Sequence, residues 1–142
     1  MRIKKNFGHI KKPVIDGIKF DSQLEGDKYL HLKSLLFAKK IKDLKTQVPF
    51  EIRPTQKLRE GCFIPSIANK NGTIQKKVYK ADFTYERIED GVKVIMDVKG
   101  RAMQVYKDKM KDIYALYSDQ YDIIEVYKDR KLNNFLDRKS VV

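Results

Sequence analysis

Two aspartates and a lysine stand on what reads as one hairpin, with Ala81-Asp82-Phe83-Thr84 on one strand and Met96-Asp97-Val98-Lys99-Gly100 on the next. Residues two apart on a strand share a face, so Asp97 and Lys99 project together. Glu89-Asp90-Gly91 supplies the turn, because Asp-Gly readily takes the positive φ that tight hairpins need. With Asp90 and Gly91 as a two-residue loop, facing residues have numbers summing to 181. Asp82 then faces Lys99, Thr84 faces Asp97, and the aspartates are diagonal neighbours. Diagonal partners lie roughly 7–8 Å apart at the backbone, near enough for two carboxylates to share a hard cation.

Aspartate is disfavoured in apolar strands, yet Asp82 stands among Tyr79, Phe83 and Tyr85, and Asp97 follows Val94-Ile95-Met96. An ion pair with Lys99 is the simpler explanation. Two acids and one base nevertheless leave a negative cluster in a strongly positive protein, and a divalent cation would neutralise it. The residue types suggest metal-dependent phosphodiester hydrolysis. Asp82 and Asp97, with the Val98 carbonyl and Glu25, would hold Mg²⁺ with several waters retained. Lys99 would position a water or offset charge building on a phosphorane-like transition state.

Glu25 has a simpler role as well. Ser22-Gln23-Leu24-Glu25 matches the capping box, in which the glutamate bonds back to the helix start. Glu25, Tyr29, Leu32 and Leu36 also follow helical spacing, which sets Glu25 at the end of the buried stripe and facing the sheet.

The elements that must position these residues follow from punctuation and periodicity. Val14 to Phe20 reads as a short strand or turn pair around Asp16-Gly17, and a helix is predicted from Gln23 to about Lys40. Gln47 to Arg53 is predicted as a strand that stops at Pro54. Residues 54–76 read as a long loop or loose hairpin, a length that is often functional. Lys77–Arg87 and Val92–Lys99 are the hairpin strands, Met103 to Tyr117 a helix, and Tyr121 to Tyr127 a last strand. Residues 1–13 read as a flexible basic arm, and 128–142 as a basic tail or short helix. The order implies one α/β domain over 14–127, with a central sheet flanked by helices.

Composition narrows the partner. The 142 residues include 31 Lys and Arg against 19 Asp and Glu, a net charge of +12 that points to a polyanion, most simply nucleic acid. No segment has the apolar length of a membrane span or the pattern of a signal peptide, so a cytoplasmic protein is expected. With one cysteine, Cys62, and two histidines, His9 and His31, a zinc site is not expected. Oxygen ligands favour magnesium, with manganese as a substitute. No Cys–His or Ser–His pair offers a competing nucleophile.

The ordered series Glu25, Asp82 and Asp97-Val98-Lys99 resembles the PD-(D/E)XK nuclease superfamily. More narrowly, the chain resembles a small phage-type branch similar to phage endonuclease I resolvases and TnsA-type transposon end nucleases. Ile15-Asp16-Gly17-Ile18-Lys19-Phe20-Asp21-Ser22, Gln47-Val48-Pro49-Phe50, Ala81-Asp82-Phe83 and Asp97-Val98-Lys99-Gly100 carry the likeness. The resemblance implies a restriction-endonuclease-like αβββαβ core with Glu25, Asp82, Asp97 and Lys99 as its active-site positions. Ala81 stands where the motif has proline, and Asp97 where many members have glutamate. Branched or recombining DNA, of the Holliday-junction type, is the implied substrate in phage or bacterial DNA metabolism. Symmetric cutting of a junction needs two active sites and hence a homodimer.

For DNA contact, Lys107 and Lys111 fall one turn apart on the second helix, where a solvated face is the ordinary explanation. Gln47 and Gln104 are polar candidates beside the site, and Lys4, Lys5, Lys11 and Lys12 of the arm suit backbone phosphates. Two alternatives explain the charge equally well: a DNA-binding module without cleavage, or a subunit that cuts only with a recombination or transposition partner.

Overall fold

The computed structural model describes residues 12–61, 72–99, 104–128 and 135–137. A five-stranded mixed sheet lies between two helices. The chain enters through a small hairpin, β1 (Val14–Ile15) and β2 (Ile18–Lys19), whose turn residues Asp16 and Gly17 have φ of 52° and 75°. Asp-Gly is the pair that accepts two positive φ values at such a turn. Helix α1 (Gln23–Phe37) follows, capped by Ser22, whose Oγ accepts the Glu25 N–H at 3.1 Å. It ends three residues short of the expected Lys40. Lys39 takes a left-handed φ of 58° and the Lys40 N–H bonds back to the Leu35 carbonyl, which closes the helix.

The main sheet has the order β3 (Ile41–Arg53), β6 (Lys77–Arg87), β7 (Lys93–Lys99), β8 (Tyr121–Lys128) and β9 (Phe135–Asp137). Only β7 and β8 are parallel, and α2 (Gln104–Tyr117) makes their crossover. Between β3 and β6 a minor hairpin pairs β4 (Gln56–Lys57) with β5 (Thr73–Ile74), so the expected loop carries a little sheet of its own. The tail also supplies a strand, since Phe135–Asp137 pairs antiparallel with β8. Edge strand β3 begins at Ile41 rather than Gln47. Its first half carries Lys42 and Lys45 and bulges between them, features that blunt an exposed sheet edge and hide its strand pattern.

Two clusters cover the sheet's faces. Phe20, Tyr29 and Leu32 pack with Phe83, Tyr85, Val94, Met96, Val98 and Val126 on the α1 side. Met110 and Ile113 of α2 pack with Phe50, Tyr79, Ala81, Ile95 and Ile123 on the other. Alternate residues of one strand normally share a face. Here Leu44 joins the first cluster while Val48 joins the second, and Phe83 and Tyr85 join the first while Tyr79 and Ala81 join the second. Both strands therefore turn over at one rung, between the pairs Thr46–Phe83 and Val48–Ala81. That rung holds Gln47, at a φ of 54°, and Asp82.

Candidate active site

The β6–β7 register differs from the sequence expectation. Phe83 faces Met96 and Thr84 faces Ile95, so partners sum to 179 and Thr84 does not face Asp97, nor Asp82 Lys99. The loop has four residues, not two. The Arg87 N–H bonds to the Val92 carbonyl, and the Gly91 N–H returns to the Arg87 carbonyl. Asp90 shapes this turn with its side chain, accepting from the Val92 N–H at 3.1 Å and from the Arg87 guanidinium. The shift of two leaves Asp82 and Asp97 as neighbours at the end of the paired segment, with Asp82 at the point where β6 changes side.

Pairing of β6 with β7 stops after Phe83–Met96, and the next residues outward are Asp82 and Asp97. There Asp82 Oδ2 accepts the Val98 N–H at 2.8 Å. A side chain thus replaces the backbone ladder, and the two strands part at the acids. Meanwhile β7 stays paired to β8 as far as Lys99. The β6–β7 ladder therefore ends where the two carboxylates stand.

Asp97 is 1% exposed, and neither of its oxygens has a hydrogen-bond partner. Lys99 Nζ stands 3.8 Å from Asp97 Oδ1, an ion pair too long for a hydrogen bond. Asp82, also buried, has its carboxyl pushed up to about 8, first by burial and then by Asp97, with the Val98 N–H opposing. Glu25 is buried at the start of α1 with Oε2 unpartnered. Burial and the charge of Asp21 raise its carboxyl, while Lys99 lowers it. Electrostatic coupling to Lys99, Asp97 and Asp82 gathers Glu25 with the hairpin residues. Capping accounts for its backbone N–H but leaves Oε2 free.

Three further residues belong to this cluster. Tyr79 has a buried hydroxyl without a partner, and burial with the charges of Asp97 and Asp82 raises its pKa. Tyr106 of α2 donates to Glu125 Oε1 at 2.8 Å, and burial with the charge of Asp97 raises it too. Glu125 lies opposite Asp97 on β8. An acid inside the apolar strand Tyr121–Tyr127 is the same signal that exposes Asp97, whereas the helical spacing of Tyr106 disguises it as plain core.

The unpartnered oxygens of Asp97 and Glu25 fit a hard divalent cation, which prefers carboxylate oxygen and retains waters. Among the described residues no three His, Cys, Asp or Glu side chains are gathered as a ready-made metal cage. The donors that fit are Asp82 and Asp97, with Glu25 at the margin.

Of the expected DNA contacts, Lys107 and Lys111 are exposed on α2. Gln47 is half-buried on the rung of Asp82. Lys12 pairs with Asp21 at 3.2 Å on the surface. Lys4, Lys5, Lys11 and the Gln104 side chain lie outside the described residues. Among the described residues no helix is long and apolar enough to cross a membrane.

The chain belongs to the family described as Protein of unknown function (DUF1064), whose model matches residues 5–133. No curated protein matches it.

Proposed function

We propose that this DUF1064 protein is a magnesium-dependent endodeoxyribonuclease of the PD-(D/E)XK type, hydrolysing phosphodiester bonds in branched DNA. The observation that carries the reading is Asp97, buried with both oxygens unpartnered beside Asp82 and Lys99, in a chain of net charge +12. Lys99 stands too far away to hydrogen-bond either Asp97 oxygen, and a buried carboxylate left without hydrogen bonds costs stability, so the fold leaves room for a further partner there.

Asp82 and Asp97, with Glu25 and the Val98 carbonyl, are the groups that would hold the ion. The chemistry the ion supplies when bound is polarisation of the phosphodiester and a lower pKa for a neighbouring water. Lys99 places a positive charge beside this cluster, where it offsets charge developing on the phosphoryl oxygens as the phosphorus–oxygen bond breaks. Exposed Lys107 and Lys111 of α2 serve as phosphate contacts on the approach.

Branched DNA and a homodimeric working form rest on the likeness to junction resolvases, as does a cytoplasmic setting in a bacterial or phage-infected cell. The test incubates the protein with labelled four-way junction, duplex and single-stranded DNA, in Mg²⁺, Mn²⁺ or EDTA. Paired, symmetric nicks confined to the junction are expected. Tight binding without cutting in any metal would replace this reading with a binding module or partner-dependent subunit.

A further inference from the structure

Lys99 carries a long, flexible side chain at the end of β7. Its 3.8 Å separation from Asp97 leaves it without a directional bond to that carboxylate, so another contact must define where the ammonium stands. The Tyr106 ring provides one, with Nζ 5.0 Å from its centroid. This is within the range at which a cation is held over an aromatic face. The ring is fixed in turn by its hydroxyl, which donates to Glu125 Oε1 at 2.8 Å. Glu125 is placed by the sheet, opposite Asp97 in the parallel β7–β8 pair, and the Tyr127 hydroxyl approaches the same oxygen at 3.5 Å.

These contacts form a brace from β8 through α2 to the lysine. We propose that Tyr106 and Glu125 are a positioning pair that sets where the Lys99 ammonium stands against Asp97. Its catalytic consequence rests on the nuclease reading above. Neither residue needs to touch DNA. Tyr106 supplies the face on which the ammonium rests, and Glu125 holds the ring at its angle. The arrangement solves a physical problem: a lysine chain loses much rotamer freedom when held in one place. A ring already fixed at its far end lowers that cost at the moment of reaction.

The test reads the lysine itself. In protein carrying ¹³C-lysine, the Lys99 side-chain signal is assigned through Lys99→Arg, and protons over an aromatic face shift upfield. Wild-type protein should show an upfield Lys99 Hε signal. Tyr106→Leu should return it to the position of exposed lysines, and Glu125→Leu should move it part of the way. Glu125→Gln, which keeps an acceptor for the hydroxyl, should preserve it. Tyr106→Phe keeps the ring without its anchor and should show an intermediate shift, readable even where Tyr106→Leu fails to fold. In cleavage assays Tyr106→Leu and Glu125→Leu should lower kcat roughly three- to thirtyfold with the KM for DNA unchanged.

A Lys99 signal that already matches exposed lysines in the wild type overturns the proposal. So does one unmoved in folded Tyr106→Leu and Tyr106→Phe proteins. The shifts decide the positioning, and absence of cutting by wild-type protein in every metal decides separately against the nuclease reading.

Discussion

Asp97→Asn should make the metal-free protein more stable while destroying its response to divalent cations. Asp97 is 1% exposed, neither oxygen accepts a hydrogen bond, and Lys99 approaches no closer than 3.8 Å. Asparagine keeps the shape and removes the charge. Lys99 is too distant to hydrogen-bond Asp97 and is itself a third exposed, so the neutral isostere relieves more desolvation than it loses in ion pairing, worth about 1–3 kcal/mol in stability. For a domain of this size that is a rise of about 3–10 °C in melting temperature in EDTA. Wild-type protein should instead gain from metal. At a concentration one hundred times its dissociation constant, Mg²⁺ or Mn²⁺ adds about 2.7 kcal/mol through binding to the folded state alone. The assay is thermal melting of both proteins, in EDTA and across a metal titration. A variant less stable than wild type in EDTA would overturn this expectation, as would a variant with the same metal-induced shift.

Folding of the metal-free protein should also depend on pH through Asp82, whose carboxyl rises from its usual 3.8 to about 8 in the fold. The folded protein then holds a proton that the unfolded chain has released. Stability is greatest below about pH 4 for this group and declines as pH rises to about 8, with Glu25 acting in the same direction. Melting temperatures between pH 5 and 8.5 should fall in EDTA and fall less in saturating Mg²⁺; a flat or rising EDTA profile would contradict the assignment. At Gly26, an added Cβ would meet Pro13 Cγ at 3.0 Å and Ile15 Cδ1 at 3.3 Å, where the β1–β2 hairpin lies across α1. Gly26→Leu should therefore cost about 1–3 kcal/mol, seen as a lower denaturation midpoint. At Gln47, whose φ is 54°, Gln47→Gly should be tolerated or slightly stabilising, and Gln47→Val should be worse by about 1–2 kcal/mol. Equal stability of those two variants would show that the left-handed backbone is not retained.

Much of the candidate site is legible because acids inside apolar strands stand out. Asp82, Asp97 and Lys99 were visible from strand patterning, and Glu25 from the end of a helical stripe. Their register was not, because Asp90 and Gly91 suit both a two-residue and a four-residue loop. The choice rests on side-chain bonds from Asp90 to Val92 and Arg87 that spacing does not reveal. The two aspartates remain neighbours despite that difference because the register moves by only two. The first half of β3 was hidden by its lysines and bulges, and the change of side at Gln47 and Asp82 breaks the rule that alternate residues face one way. Tyr106 packs partly into the core at helical spacing with Met110 and Ile113, and its further contact is with Glu125, nineteen residues away.

Asp82, Asp97 and Lys99 should act together as one metal-dependent hydrolytic site. Its most direct test is nicking of supercoiled plasmid DNA by wild-type and Asp97→Asn proteins at matched concentration, with Mg²⁺ or Mn²⁺ and with EDTA. The wild type should nick in metal alone, and the folded variant should give none above background. Equal nicking by both proteins, or nicking that persists in EDTA, would contradict it.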